Sequence, residues 1–390
     1  MSNLSSNNQP ADDKKSQVIS ILELLATRLQ WTPAKHVLSA SGLHASRGWD
    51  ETINHLRSAF YDKKIWDEAH VRLSELAILH SRVGNKRVSF YDLRELNSDE
   101  RNRIIKWACA SAKNDLKSIL AGKPFGVLDA PVHPEYLDEY KNCQPFLVAA
   151  GRVKEKLFMQ FFSARSYTHR ESIDISKMGV SQQSMFKDFS ELIGVRAKSV
   201  PCFDTVAIDV ENELMEVRVD FQPGMSEDKK IPACGRVIDE FSRILIARIG
   251  QVTLTPGLVD LYPAISPLYR DKECGQVTAL GFVAVGSESS SNNTGKIHRS
   301  KIRDFRNDEF HVGGKENVEK IEPYAIGISW ARQLPQSELY LELKGSAKSI
   351  YKRALNPVSV AEVVGCLDSA DFEFVSKQLL SRLKRKKSGC

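Results

Sequence analysis

Between Ser181 and Gly250 the apolar period changes from helical to alternating and back again. Phe203–Val210 and Met215–Phe221 read as two strands joined by a tight turn at Glu211–Leu214. Ser181–Ile193 before them and Gly235–Ile249 after them read as helices. In the second strand Met215, Val217, Val219 and Phe221 alternate with Glu216, Arg218 and Asp220, the pattern of a strand with one dry and one wet face. A hairpin with helices on either side points to an α+β chain.

At 390 residues the chain has room for two domains or three. Apolar content of 42% and charged content of 27% are ordinary for a globular protein, and no run approaches the length needed to span a bilayer. The first residues, MSNLSSNNQPADDKK, lack the apolar core of a secretory signal, so a cytoplasmic location is expected. Seven cysteines are scattered without CxxC spacing, and the nine histidines form neither HxxxH nor HExxH. No metal site, disulfide framework or cofactor motif is therefore expected.

In chain order, residues 1–16 read as a polar disordered tail and residues 17–120 as a bundle of short helices. Thr32-Pro33 marks one helix start, and Asn97 with Glu100 forms a capping box that opens another to about Leu120. Lys86–Leu93 is a short strand or wing beside them. Such a bundle is compatible with a winged-helix reader or a death-fold-like protein-interaction module. Prolines and glycines make residues 121–145 a linker. Residues 146–390 then form a larger domain on a mixed or antiparallel sheet with flanking helices. Its strands are expected at Lys156–Phe162, Glu171–Ser176, the hairpin, Gln276–Gly286, Glu322–Arg332 and Glu338–Lys344. Arg165–Arg170 reads as a polar turn, and Val252–Tyr269, interrupted by three prolines, as loop. Helices around Ala347–Leu355 and Ser369–Lys387 close the chain.

The order helix, strand, strand, helix, strand over Ser181–Gly286 resembles the core of the PD-(D/E)xK nuclease-like family. Asp204 opens the first strand, and Glu216 and Arg218 lie two apart on the second, so that both point to one face. The resemblance implies a Mg²⁺-dependent nuclease in which Asp204 and Glu216 hold the metal. Arg218 stands at the family's lysine position; it stays protonated and offers charge stabilisation but no base. Glu342 and Lys344 repeat the same short pattern on another strand.

The net charge of +6 equals the six basic residues between Lys377 and Lys387, so the remainder is neutral. A second basic segment, Lys296–Arg306, follows the polar stretch Ser287–Gly295. The leading expectation is a non-catalytic nucleic-acid-associated protein, with DNA as partner. Phosphate contacts are expected from Lys296, Arg299, Lys301, Arg303 and Arg306 and from the tail Lys384, Arg385, Lys386 and Lys387. A divergent nuclease is one alternative. The other is a protein-interaction adaptor working through the helical domain, which the neutral body favours.

Overall fold

The computed structural model describes residues 9–110, 137, 140, 143–153, 155–222, 224–285, 293–294, 298–299, 304–332, 337–351, 355 and 357–383. Helix α1 (Gln9–Ala26) begins within the stretch expected to be a disordered tail. It is followed by α2 (Trp31–Ala40), α3 (Trp49–Ser58) and α4 (Lys63–Val83). Their apolar stripes meet in one core containing Val18, Leu22, Leu38, Leu56, Trp66 and Leu73. Strand β1 (Lys86–Asp92) and α5 (Ser98–Ala110) come next. Asn97 caps α5 by accepting from the Glu100 amide at 2.8 Å, as the capping box predicts. The expected linker, residues 121–145, and the stretch to Leu120 expected to be helical lie largely outside the described residues.

Strands β2 (Phe146–Val153), β3 (Lys156–Ile173), β4 (Leu192–Asp209) and β5 (Leu214–Asp220) follow, with the short helix α6 (Val180–Phe186) between β3 and β4. Then come α7 (Glu227–Ile249), α8 (Tyr262–Arg270), β6 (Gln276–Val285), β7 (Asn293–Thr294) and β8 (His298–Arg299). The chain ends through α9 (Glu309–Glu316), β9 (Lys320–Arg332), β10 (Ser337–Leu343), α10 (Ala347–Tyr351), β11 (Ala361–Val364) and α11 (Ser369–Leu380).

Among the described residues all strands join one 11-stranded sheet in the order β2-β3-β4-β5-β1-β11-β10-β9-β6-β7, with β8 also on β6, and every pairing is antiparallel. The α+β class is thus as the sequence indicates. Strand β1 lies between β5 and β11, so the strand inside the N-terminal helical segment is a central strand of the sheet rather than a wing.

The sheet buries opposite faces in its two halves. Met159, Phe161, Val206, Ile208, Met215 and Val217 pack beneath α7 and α5 on one face. Val88, Phe90, Ile328, Leu341 and Val363 pack beneath α8 and α11 on the other. Every residue of β5 is buried, because that strand contributes to both layers. Its polar residues Glu216, Arg218 and Asp220 therefore need partners inside the protein.

Several local expectations give way to tertiary structure. Arg165–Arg170 is not a turn; it continues β3. Ser181–Ile193 is not one helix, since α6 ends at Phe186 and Leu192 already pairs with Ile173. Val252–Tyr269 is not mostly loop: Pro263 lies in the first turn of α8, where the missing N–H costs nothing, and Leu268 and Ile265 anchor that helix in the core. Among the described residues no helix is long and apolar enough to cross a membrane.

Candidate nucleic-acid interface

The acidic hairpin is built as structure. Thr205 of β4 lies opposite Arg218 of β5, so Thr205, Glu216 and Arg218 share a face and Asp204 points to the other one. The nuclease-like trio is therefore not gathered on one face, unlike the arrangement that the nuclease resemblance implies. Glu216 accepts from Arg218 Nε at 2.8 Å and Nη2 at 2.6 Å, and the guanidinium lies 3.8 Å from the Phe372 ring centre. Asp204, fully buried, pairs with Arg165. Arg165 in turn donates to the Asp220 carbonyl at 2.5 Å.

Asp220, on the face of Glu216 and Arg218, is the hub of a second cluster. It pairs with Arg28, from the turn after α1, and lies 3.4 Å from the ammonium of Lys86. Lys86 is completely buried and donates to the carbonyls of Ser81 (2.5 Å) and Phe203 (2.6 Å). Burial pulls the Lys86 ammonium down to about 8 against the opposing pull of Asp220. For Asp220, burial raises the carboxyl, but Arg28, Lys86 and the Phe203 amide outweigh it and hold it below the ordinary value. Burial, with the Arg28 and Lys86 charges, lowers the neighbouring His80 to about 3. This cluster joins α1, α4, β1, β4 and β5. Its carboxylates are occupied by cations of the same chain, so it is a structural centre.

The basic positions separate. Lys296, Lys301, Arg303 and the tail Lys384–Lys387 lie outside the described residues. Arg299 falls in β8, where its backbone pairs with Ala279. Arg306 is buried and not offered to phosphate. It donates to Asp304 at 2.6 Å and to the carbonyls of Asp271 and Gly275 at 2.5 Å, which fastens the segment before α9 to the turn after α8.

One exposed element escaped sequence reasoning. Strands β3 and β4 pair over all of Lys156–Ile173 and Leu192–Asp209, but β2 covers β3 only to Phe162 and β5 covers β4 only from Thr205. The remaining ribbon extends from the sheet, and no described residue from Ser166 to Ser199 is buried. Its free paired portion is about 25 Å long at ~3.3 Å per residue.

Opposite residues fix its faces. Tyr167 faces Lys198 and His169 faces Arg196, which gathers two rings and two cations on one side. The Tyr167 and His169 rings are 6.2 Å apart, edge to face. Arg170 and Val195 are on the reverse side. Val180, Met185, Phe189, Ile193 and Val195 are each at least half exposed around the end of the ribbon. The continuous cross-strand alternation of Tyr167/His169 with Arg196/Lys198 was the available signal. It was hidden because neither strand is apolar enough to stand out alone. No known protein family and no curated protein matches the chain.

Proposed function

We propose that this protein binds double-stranded DNA without cleaving it, and that the β3–β4 ribbon is the part that enters a groove. The observation that carries this reading is the exposed two-stranded ribbon with Tyr167, His169, Arg196 and Lys198 on one face. A duplex major groove accepts a two-stranded ribbon, and cations on such a ribbon contact phosphate while its side chains reach base edges. Apolar residues at the end of the ribbon, Met185 and Phe189 among them, suit wedging against base steps. The Lys296–Arg303 and Lys384–Lys387 segments add positive charge of the same kind.

Between Ser166 and Ser199 there are five Lys/Arg and four Asp/Glu residues, so bulk attraction is weak and contact geometry must supply the affinity. Fluorescence anisotropy with a labelled duplex across a salt series tests the proposal. Full-length protein should bind, with a slope of log K against log salt of roughly −2 to −3 from the ribbon cations and more from the basic segments. The double variant Arg196→Glu with Lys198→Glu should weaken binding by about tenfold or more and flatten the slope. Equal binding by wild type and variant would remove the ribbon from the interface, and no binding at low salt would remove DNA altogether.

The exposed apolar residues at the end of the ribbon favour a second reading, a protein partner docked there. Met185→Ser with Phe189→Ser distinguishes the two. Unchanged DNA affinity together with loss of a concentration-dependent or partner-dependent assembly would support the docking reading.

A further inference from the structure

Far along the sheet order from the ribbon, α9 stands over the β6–β9 pair without closing on it. The gap is a cavity of about 460 Å³ lined by Phe282, Phe305, His311, Gly314, Lys315 and Ile321. This volume lies in the range of small-molecule sites. Its wall is organised. The buried His311 ring is 2.8 Å from the Tyr269 hydroxyl through Nε2, and lies 4.4 Å from the Phe305 ring centre and 5.6 Å from that of Phe282. Asp308 accepts from the His311 amide at 3.1 Å, so the acid at the cavity is engaged in capping the helix. Lys315 brings a cation to the rim, 5.7 Å from the Tyr269 ring centre.

The helix itself has a feature that its stability does not require. Gly313 and Gly314 are adjacent inside α9, each about 1 kcal/mol worse than alanine in a helix interior. A Cβ on either would meet nothing within 4 Å, so neither glycine serves close packing. Gly314 lines the cavity, and its missing side chain keeps that wall open.

We propose that this cavity binds a planar aromatic anion, an aryl carboxylate of one or two fused rings, with the ring among Phe282, Phe305 and His311 and the carboxylate at Lys315. The site is separate from the ribbon and does not depend on the DNA-binding reading. Aromatic rings meet a planar guest through face and edge contacts, and the ammonium selects for the negative group.

Isothermal titration calorimetry of the full chain tests this with three matched probes: 2-naphthoate, the neutral 2-naphthylmethanol and the cationic 2-naphthylmethylamine. Naphthoate should bind most tightly and the amine least. Lys315→Met should bring naphthoate down to the level of the alcohol, a loss of about two- to fivefold for a solvent-exposed charge. Gly314→Leu fills the cavity from a helical position that favours leucine and should abolish binding of all three, whereas Gly313→Ala, off the cavity wall, should leave it unchanged. Absence of binding by the wild type, equal affinity for the three probes, or wild-type binding by Gly314→Leu would each overturn the proposal. An unaltered probe preference in Lys315→Met would do so as well, and that variant does not depend on how the filled cavity folds.

Discussion

Asp204 and Asp220 replace backbone acceptors where the β4–β5 ladder opens: the Asp220 amide donates to Asp204 Oδ1 at 2.8 Å, and the Phe203 amide donates to Asp220 Oδ2 at 2.8 Å. The last backbone-paired residues are Thr205 and Arg218, so the two carboxylates continue the ladder by one reciprocal step as the strands separate. Buried amides need acceptors, and the splayed strands no longer supply them. Each carboxylate also answers a buried arginine, Arg165 for Asp204 and Arg28 for Asp220. Asp204, an acid that the nuclease resemblance would assign to a metal, is thus accounted for by chain geometry.

Removing the Asp220 carboxylate should therefore destabilise the fold strongly. Asp220→Ala leaves Arg28 and the fully buried Lys86 without their shared counter-charge and leaves the Phe203 amide without its acceptor. The expected loss is about 3–5 kcal/mol, the range for breaking one partner out of a buried ion pair. Asp220→Asn retains an acceptor for the amide and should fall between alanine and wild type. Urea unfolding of the three proteins checks the order; an alanine variant within 1 kcal/mol of wild type, roughly the worth of a surface pair, would show that the cluster contributes no more than that.

Acid should unfold the protein in two separable windows. His80 titrates near 3 when folded and near 6.5 when unfolded, because burial and the adjacent Arg28 and Lys86 charges disfavour its cation. Between those values the unfolded chain binds a proton that the folded chain refuses, so stability is full above about pH 6.5 and declines as the pH falls toward 3. One such group gives a slope of at most about 1.4 kcal/mol per pH unit. The depressed Asp220 carboxyl adds a loss of the same sign below its ordinary range. His80→Leu removes an imidazole whose Nδ1 makes no hydrogen bond among the described residues, and it should flatten the stability profile between pH 4 and 6.5 while leaving the steeper loss at lower pH. A parallel profile in the variant would assign the slope to other groups.

Gly365 links β11 to the segment before α11 with φ of +86°. A Cβ there would also run into the Glu338 carbonyl oxygen of the neighbouring chain segment. The left-handed conformation and the contact with rigid backbone act together, so Gly365→Ala should cost about 2–4 kcal/mol. Gly313→Ala, which meets open space in a helix, should instead be neutral or stabilising by up to about 1 kcal/mol. Chemical denaturation of the pair measures both signs in one protein.

The parts of the fold that were legible share a strong local period. The stripe Val18, Ile21, Leu22 and Leu25 announces α1, and the alternation from Met215 to Val219 announces β5. The sequence pattern starts α7 only at Gly235, because Pro232 lies inside the helix, while Glu227 and Asp228 in its first turn and the Lys230–Glu362 pair at 2.9 Å hold that end in place. Strand β11 is only four residues long, and its placement between β1 and β10 rests on pairing that no local pattern encodes. At the acidic hairpin the spacing of Glu216 and Arg218 correctly gave one shared face. The position of Asp204 on the opposite face depended on a strand register that sequence spacing across a turn does not determine. The ribbon was missed for the reverse reason. With no buried residue, its strands lack the apolar run by which strands are recognised, and only the cross-strand pairing of Ser166–Ile173 with Leu192–Ser199 reveals it.

That same lack of burial makes the ribbon removable. Arg165 and Val200 are directly paired and both are buried; past them Tyr167 packs against the small core of Val200, Cys202, Phe221 and Met225, and no described residue from Ser166 to Ser199 is itself buried. Replacing Ser166–Ser199 by Asn-Gly would close β3 onto β4 with a two-residue turn whose twist suits a hairpin. The Asp204–Arg165 and Asp220–Arg28 pairs remain in place, so unfolding free energy should change by less than about 1 kcal/mol, as for substitutions outside a core. DNA binding, measured by anisotropy on the same preparation, should fall to the salt-sensitive remainder supplied by the other basic segments. A shortened protein that is equally stable yet binds DNA as the full chain does would place the interface elsewhere. One that loses stability along with binding would show that the ribbon supports the sheet, contrary to its exposure.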